Sequence, residues 1–128
     1  MALPILISFK GKKVFISFES SSLGDTISWV PYCEEFRKQH DCEVVVSTFM
    51  NYMFEKTYTN LTFVPPGSVV HNVFGMFKLG WFWDNQKEPV NPVTIPLQKA
   101  SANILGLEYK EIQTNIYFEP KKIGRAHV

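Results

Sequence analysis

Cysteine is scarce in this chain, and so is any surplus of charge. Two cysteines, Cys33 and Cys42, in 128 residues are too few for a disulfide framework and lack the paired spacing of a zinc site, so free structural thiols are expected. Lys and Arg number 13 against 12 Asp and Glu, a formal net charge of +1. That balance excludes the basic footprint of a nucleic-acid binder and the polybasic patch of a membrane-surface protein. Long apolar runs are lacking too: the most apolar stretch, residues 69–83, is interrupted by His71, Asn72 and Lys78 and is too short to span a bilayer. There is no GxGxxG fingerprint, P-loop, HExxH or GxSxG, which removes support for dinucleotide oxidation, nucleotide triphosphate hydrolysis and the common hydrolases. Residues 1–7 are apolar but have no basic leader and no small-residue cleavage site, so they do not read as a signal peptide and the cytoplasm is the expected location. No internal repeat is visible.

What is present suits one α/β domain, since a chain near this length buries about two thirds of its unfolded surface. Residues 5–10 form a short apolar run closed by Lys10-Gly11-Lys12-Lys13, read as a strand and a turn. Residues 14–18, Val-Phe-Ile-Ser-Phe, hold few charges and are the best candidate for a central strand, with Phe15 facing opposite to Val14 and Ile16. From Thr26 to about His40 the apolar positions Ile27, Val30, Cys33 and Phe36, with Trp29 and Tyr32, form one broad helical face. Pro31 removes a backbone donor past the first turn, so a kink or a later helix start is expected. Asp41-Cys42 is a turn, and 43–47 is a short β-branched strand, completing a right-handed βαβ unit. A short helical segment at 51–58 and a third strand at 61–64, stopped by Pro65-Pro66-Gly67, follow. Residues 69–83 fit both helical and strand parity; Gly75 and Gly80 favour an extended segment. A three-proline polar loop covers 84–96, a helix covers 97–105 with Gly106 in the C′ position, and 112–118 forms one more candidate strand.

The residues with chemical potential lie between the first strand and the first helix. Ser20-Ser21-Ser22-Leu23-Gly24-Asp25-Thr26 occupies the carboxyl end of a strand, where ligands collect in open parallel sheets and a helix N-terminus offers unpaired N–H donors. Asp25 is placed either to cap the helix or to do chemistry, and the residue types alone leave both readings open. Ser21, Ser22, Leu23, Gly24 and Thr26 are candidate substrate-lining residues, the hydroxyls able to donate to phosphate or sugar oxygens or simply to form the turn. His71 could line the same crevice or serve a structural hydrogen bond, and His40, at a helix end, is expected to be a surface residue complementing the helix dipole. Trp81-Phe82-Trp83 suits a sugar face, a core or an interface. No metal site is expected in these residues.

The last six residues, Ile123-Gly124-Arg125-Ala126-His127-Val128, write back as ATC GGA AGA GCA CAC GTC, which resembles the start of a widely used sequencing adapter. Residues 123–128 are therefore expected to be non-native, and Arg125 and His127 carry no functional argument.

The block Lys13-Val14-Phe15-Ile16-Ser17-Phe18-Glu19-Ser20-Ser21-Ser22-Leu23-Gly24-Asp25-Thr26, followed by Trp29-Val30-Pro31-Tyr32-Cys33-Glu34-Glu35-Phe36-Arg37, resembles the bacterial autotransporter O-heptosyltransferases of the strand-loop-strand type, and more distantly the lipopolysaccharide heptosyltransferases. Val70-His71-Asn72, Leu79-Gly80-Trp81-Phe82, Leu97-Gln98-Lys99 and Ile104-Leu105-Gly106-Leu107-Glu108-Tyr109 extend the likeness over most of residues 12–116. The resemblance implies the amino-terminal, acceptor-side half of a two-domain GT-B glycosyltransferase: a Rossmann-like parallel sheet with flanking helices at 12–122, with residues 1–11 closing a preceding β-domain. It implies transfer of heptose from ADP-heptose to hydroxyls of an autotransporter adhesin, with Asp25 as general base. It also implies an iron site held by cysteines in a carboxyl-terminal half, to which Cys33 and Cys42 do not correspond, and a homo-oligomeric intact protein. On this reading the 128-residue product alone is expected to be inactive and to expose apolar surface meant for a partner domain or subunit. The competing expectations are a lipopolysaccharide-type or other nucleotide-sugar transferase, and a non-catalytic Rossmann-like assembly module in which Asp25 only caps its helix.

Overall fold

The computed structural model describes residues 8–80, 97–114 and 116. Residues 5–7 of the candidate strand at 5–10, the aromatic triplet Trp81-Phe82-Trp83, the loop at 84–96 and residues 117–128 lie outside the described residues, and residues 8–10 are not in a strand.

Chain order runs β1 (Lys13–Phe18), α1 (Leu23–His40), β2 (Glu43–Ser47), a short 3-10 turn at Asn51–Met53, β3 (Thr62–Phe63), β4 (Gly75–Leu79) and α2 (Leu97–Leu105). The strands form one sheet in the order β3-β2-β1-β4, and every pair is parallel. This is the α/β, Rossmann-like sheet expected from the sequence, with β1 at its centre. Val14 stands opposite Val44 on one side and Gly75 on the other. Alternation follows from the pleat: Val14, Ile16 and Phe18 are buried, while Lys13, Phe15 and Ser17 on the other face are half-buried. In β2, Val44, Val45 and Val46 are all buried, as in a strand covered on both faces. The stretch at 69–83 resolves as extended at Gly75–Leu79. At Gly75 the strand passes close under the Phe9 ring, where a Cβ would sit 3.1 Å from a ring carbon, and that ring packs edge-on against Phe36 and Phe74.

Helix α1 begins three residues before the expected Thr26, because Ser22 rather than Asp25 is its N-cap. It runs continuously to His40 through Pro31, so the proline neither delays its start nor divides it. Trp29, Val30, Tyr32, Cys33 and Phe36 are buried in the core, with Phe18 edge-on to Trp29 and Phe77 edge-on to Phe36. The helix ends at Asp41, in the left-handed region at φ 50°, whose N–H donates to Arg37 O. Helix α2 packs beside α1 and over β4. It ends as its glycine requires: Gly106, at φ 71°, donates to Asn103 O and Leu107 donates to Ala102 O, the paired bonds of a Schellman motif.

Beyond α2, residues 107–114 have no regular structure, yet they are tied to the helices by side chains. The Tyr32 hydroxyl donates to Lys110 O and accepts from Lys110 N at 2.8 Å. The Gln98 amide mirrors this on Ile112, donating to its carbonyl at 2.8 Å and accepting from its N–H at 2.9 Å. Thr114 Oγ1 donates to Ile27 O. Ile27 is four residues before Pro31, so its carbonyl is the one deprived of a helical N–H partner by the proline, and Thr114 replaces that partner. Residues 112–114, expected to open a strand, instead belong to this strap.

Candidate functional site

The strap closes the outer side of the helices, whereas the sheet's carboxyl end is closed by short polar turns. Glu19 N donates to Leu79 O at 2.8 Å, tying the ends of β1 and β4 together. The chain then makes the turn 19–22 into α1. Ser22 Oγ accepts from Asp25 N at 3.4 Å, and Ser22 O accepts from Thr26 N at 3.1 Å and from Thr26 Oγ1 at 2.8 Å. Asp25, in the first turn of the helix, is only 7% exposed, and its Oδ2 accepts from the Ser20 hydroxyl at 2.6 Å. Ser22 N donates to Ser20 Oγ at 3.1 Å. A carboxylate at this point also faces the positive end of the helix dipole.

The carboxyl end of β2 lies beside this turn in the sheet order. Asn51 Oδ1 accepts from Thr48 N at 2.9 Å and from Thr48 Oγ1 at 2.7 Å, while its Nδ2 donates to Val64 O at 2.8 Å. Asn51 thus laces the ends of β2 and β3. Around this frame Leu23, Phe49 and Tyr52 are about half exposed.

The expected site residues separate into three groups. Ser20-to-Asp25 is one wired unit in which Ser21, Leu23 and Gly24 are exposed, and Ser22 is committed to capping. Thr26 is fully buried and its hydroxyl is spent on Ser22 O, so it shapes the turn rather than lining a crevice. His71 does not join Asp25: it precedes β4, and its carbonyl accepts from Lys13 Nζ at 3.1 Å at the start of β1. In a parallel sheet that is the amino end, roughly 17 Å along the strand from the turn at about 3.3 Å per residue. Ser20 and the Thr48–Asn51 pair were not singled out by sequence reasoning. The signal for them is a Ser or Thr ending a strand, with a polar acceptor or donor within five residues.

The remaining ionisable groups are structural. His40 is not a freely exposed dipole partner; it is half-buried against the rings of Phe36 and Phe9, at centroid distances of 4.4 and 5.2 Å, and this burial lowers its pKa. Cys33 and Cys42 are free and buried, and burial pushes both thiols up, Cys33 furthest. Among the described residues no three His, Cys, Asp or Glu side chains gather as a metal site, and no helix is long and apolar enough to cross a membrane. An open groove of about 580 Å³ lies along the strap between Ile27, Gln98, Tyr109 and Thr114, and its lining does not include Asp25.

No family model matches the chain. Among curated proteins it is 26% identical over 114 residues to the autotransporter heptosyltransferase Aah of Escherichia coli, covering 85% of this chain and 29% of Aah. It is 26% identical over 128 aligned residues to the autotransporter heptosyltransferase TibC of E. coli O78:H11, covering 95% of this chain and 32% of TibC. The chain is thus similar to autotransporter heptosyltransferases. It spans about 30% of the length of these relatives. One further relative, BimC of Burkholderia thailandensis, 26% identical with 87% of this chain and 28% of BimC covered, is described as inactive. The fold agrees: the crystal structure of TibC, an iron-containing dodecameric glycosyltransferase, superimposes with a TM-score of 0.76 at 22% identity over 87% of this chain and 30% of TibC. TibC in complex with ADP-D-beta-D-heptose gives a TM-score of 0.75, also at 22% identity, over 86% of this chain and 30% of TibC.

Proposed function

We propose that this chain is the acceptor-side, Rossmann-like half of a GT-B enzyme that transfers heptose from ADP-heptose to hydroxyl groups of an autotransporter adhesin. Residues 12–122 form that half and 123–128 are non-native. The enzyme is proposed to act in the bacterial cytoplasm. Its heptose transfer and homo-oligomeric state are supported by relatives named heptosyltransferases and by TibC, which is dodecameric and was solved in complex with ADP-D-beta-D-heptose.

The observation that carries the mechanism is the buried Asp25 carboxylate, held by Ser20 at the carboxyl end of the central strand. The acceptor hydroxyl gives its proton to Asp25 as its oxygen bonds to the anomeric carbon. The bond from that carbon to the donor phosphate breaks, and ADP leaves with the electron pair. A neutral hydroxyl is a weak nucleophile, and a carboxylate in hydrogen-bond reach contributes roughly 10²- to 10⁴-fold. The groups that stabilise departing ADP belong to the other half of the enzyme. The described residues do not gather ligands that fit an iron site, so the iron of a TibC-like protein would be held outside them. Ser21, Leu23 and Gly24 are the exposed positions beside the base and are proposed to border the acceptor.

Asp25→Asn in the intact protein tests the proposal by heptose transfer and ADP release. Loss of activity with an unchanged melting temperature is the expected result. Activity near wild type would remove Asp25 as the base, whereas no heptose transfer by the intact wild-type protein would favour the non-catalytic reading.

A further inference from the structure

We infer that Ser20 is the positioning residue for the Asp25 carboxylate, an inference that rests on Asp25 being the base. The Ser20 hydroxyl has one proton, and three observations fix where it points. Ser22 N donates to Ser20 Oγ at 3.1 Å, which engages the oxygen's acceptor side. Asp25 Oδ2 lies 2.6 Å from Ser20 Oγ, in the range of a short charge-assisted O–H···O bond. Ser22 in turn is anchored, because its side chain and carbonyl cap the helix that carries Asp25. A directed relay runs from the Ser22 N–H through the Ser20 hydroxyl to Oδ2, closing on the helix on which it started. Such chained bonds polarise one another, and this one fixes the direction of Oδ2 towards Ser20.

Ser20 keeps its proton throughout. Proton transfer runs from the acceptor hydroxyl to Asp25, and Ser20 sets only the angle at which that carboxylate meets it. Catalysis is sensitive to such angles: a displacement of about 1 Å costs on the order of 10²-fold. A Ser20 that only completes the turn would influence stability and leave turnover alone.

The experiment compares Ser20→Ala, Ser20→Thr and Asp25→Asn in the intact protein, measuring kcat, KM for ADP-heptose and melting temperature. Ser20→Ala is expected to lower kcat roughly 10- to 100-fold with KM near wild type and a modestly lowered melting temperature, because Asp25 remains present but loses the bond that aims Oδ2. Ser20→Thr keeps a hydroxyl on the same carbon and is expected to restore kcat to within about threefold, the loss that a small residual misalignment permits. A wild-type kcat in Ser20→Ala, a loss confined to KM, or equal impairment in Ser20→Ala and Ser20→Thr would overturn the inference. An active Asp25→Asn would instead overturn the base reading, and the Ser20 inference with it. An inactive Asp25→Asn beside a fully active Ser20→Ala would remove Ser20 alone.

Discussion

The turn before α1 and the strap after α2 are both irregular and both rich in side-chain hydrogen bonds, but they are built on opposite plans. In the turn, the side-chain bonds of Ser20 with Asp25 and of Ser22 with Asp25 and Thr26 span five residues or fewer. In the strap, partners are 14 residues apart for Gln98 and Ile112, 78 for Tyr32 and Lys110, and 87 for Ile27 and Thr114. A turn wired locally forms with its own helix and holds a rigid group at little entropic cost. A strap wired at long range forms only once the sheet and both helices are stacked, and the loop it closes adds to its cost. On the proposed function the difference separates two roles, the turn orienting the base and the strap joining the two helices.

The variants that bear on this contrast should therefore fall into two classes. The largest effect belongs to the turn: Asp25→Asn should reduce heptose transfer in the intact protein by roughly 10²- to 10⁴-fold while chemical unfolding is unchanged. A large stability loss in that variant would merge the two classes. Next is Tyr32→Phe, which strips both the N–H and the carbonyl of Lys110 of their partner. About 2 kcal/mol of destabilisation in urea unfolding is expected, with loss of hydrogen-exchange protection at Lys110. Gln98→Ala does the same to Ile112 nearer the surface and should cost about 1 to 2 kcal/mol, again without a change in kcat for the folded fraction. Thr114→Val removes a single donor from the Ile27 carbonyl, and about 1 kcal/mol is expected.

The smallest effect is a pH dependence that belongs to neither region. Burial against Phe36 and Phe9 lowers the pKa of His40 below its unfolded value of about 6.5. Above that pH both states are neutral and stability is full. As the pH falls through 6.5 the unfolded chain takes up the proton more readily, and stability declines until the folded-state value is passed. His40→Phe should flatten this segment of a stability-against-pH curve. Glu35, whose carboxyl is held below its usual value by hydrogen bonds first from Lys38 and then from Lys110, contributes in a separate window. Its share is present above about pH 4.5 and is lost as the pH falls towards the lowered folded-state value. A slope between pH 5 and 7 that survives in His40→Phe would point elsewhere.

The same contrast explains what could be read before folding. Strand β1, the face of α1 and the Gly106 helix end are periodic or local features, and each was visible in residue order. Asp25 was visible for that reason too, although the N-cap considered for it belongs to Ser22, three residues earlier, while the carboxylate accepts from Ser20. Pro31 was weighed as a local fault because its remedy, Thr114, is separated from Ile27 by most of the chain. His71 was grouped with Asp25 without regard to strand direction. A residue preceding a parallel strand lies at the amino end of the sheet, and β4 runs parallel to β1.

Pro31 has a consequence for how the strap finds its place. An unbroken helix presents a uniform, self-satisfied backbone, and a passing segment can slide along it at little cost. Helix α1 instead carries one carbonyl that needs a donor from outside, at a fixed height on its surface. A segment shifted by one residue would carry Thr114 away from that height and bury the carbonyl bare, so misaligned dockings are penalised and the native one is marked. The proline thus works as an alignment key, and restoring the helix with Pro31→Ala would erase the mark while appearing to repair a defect.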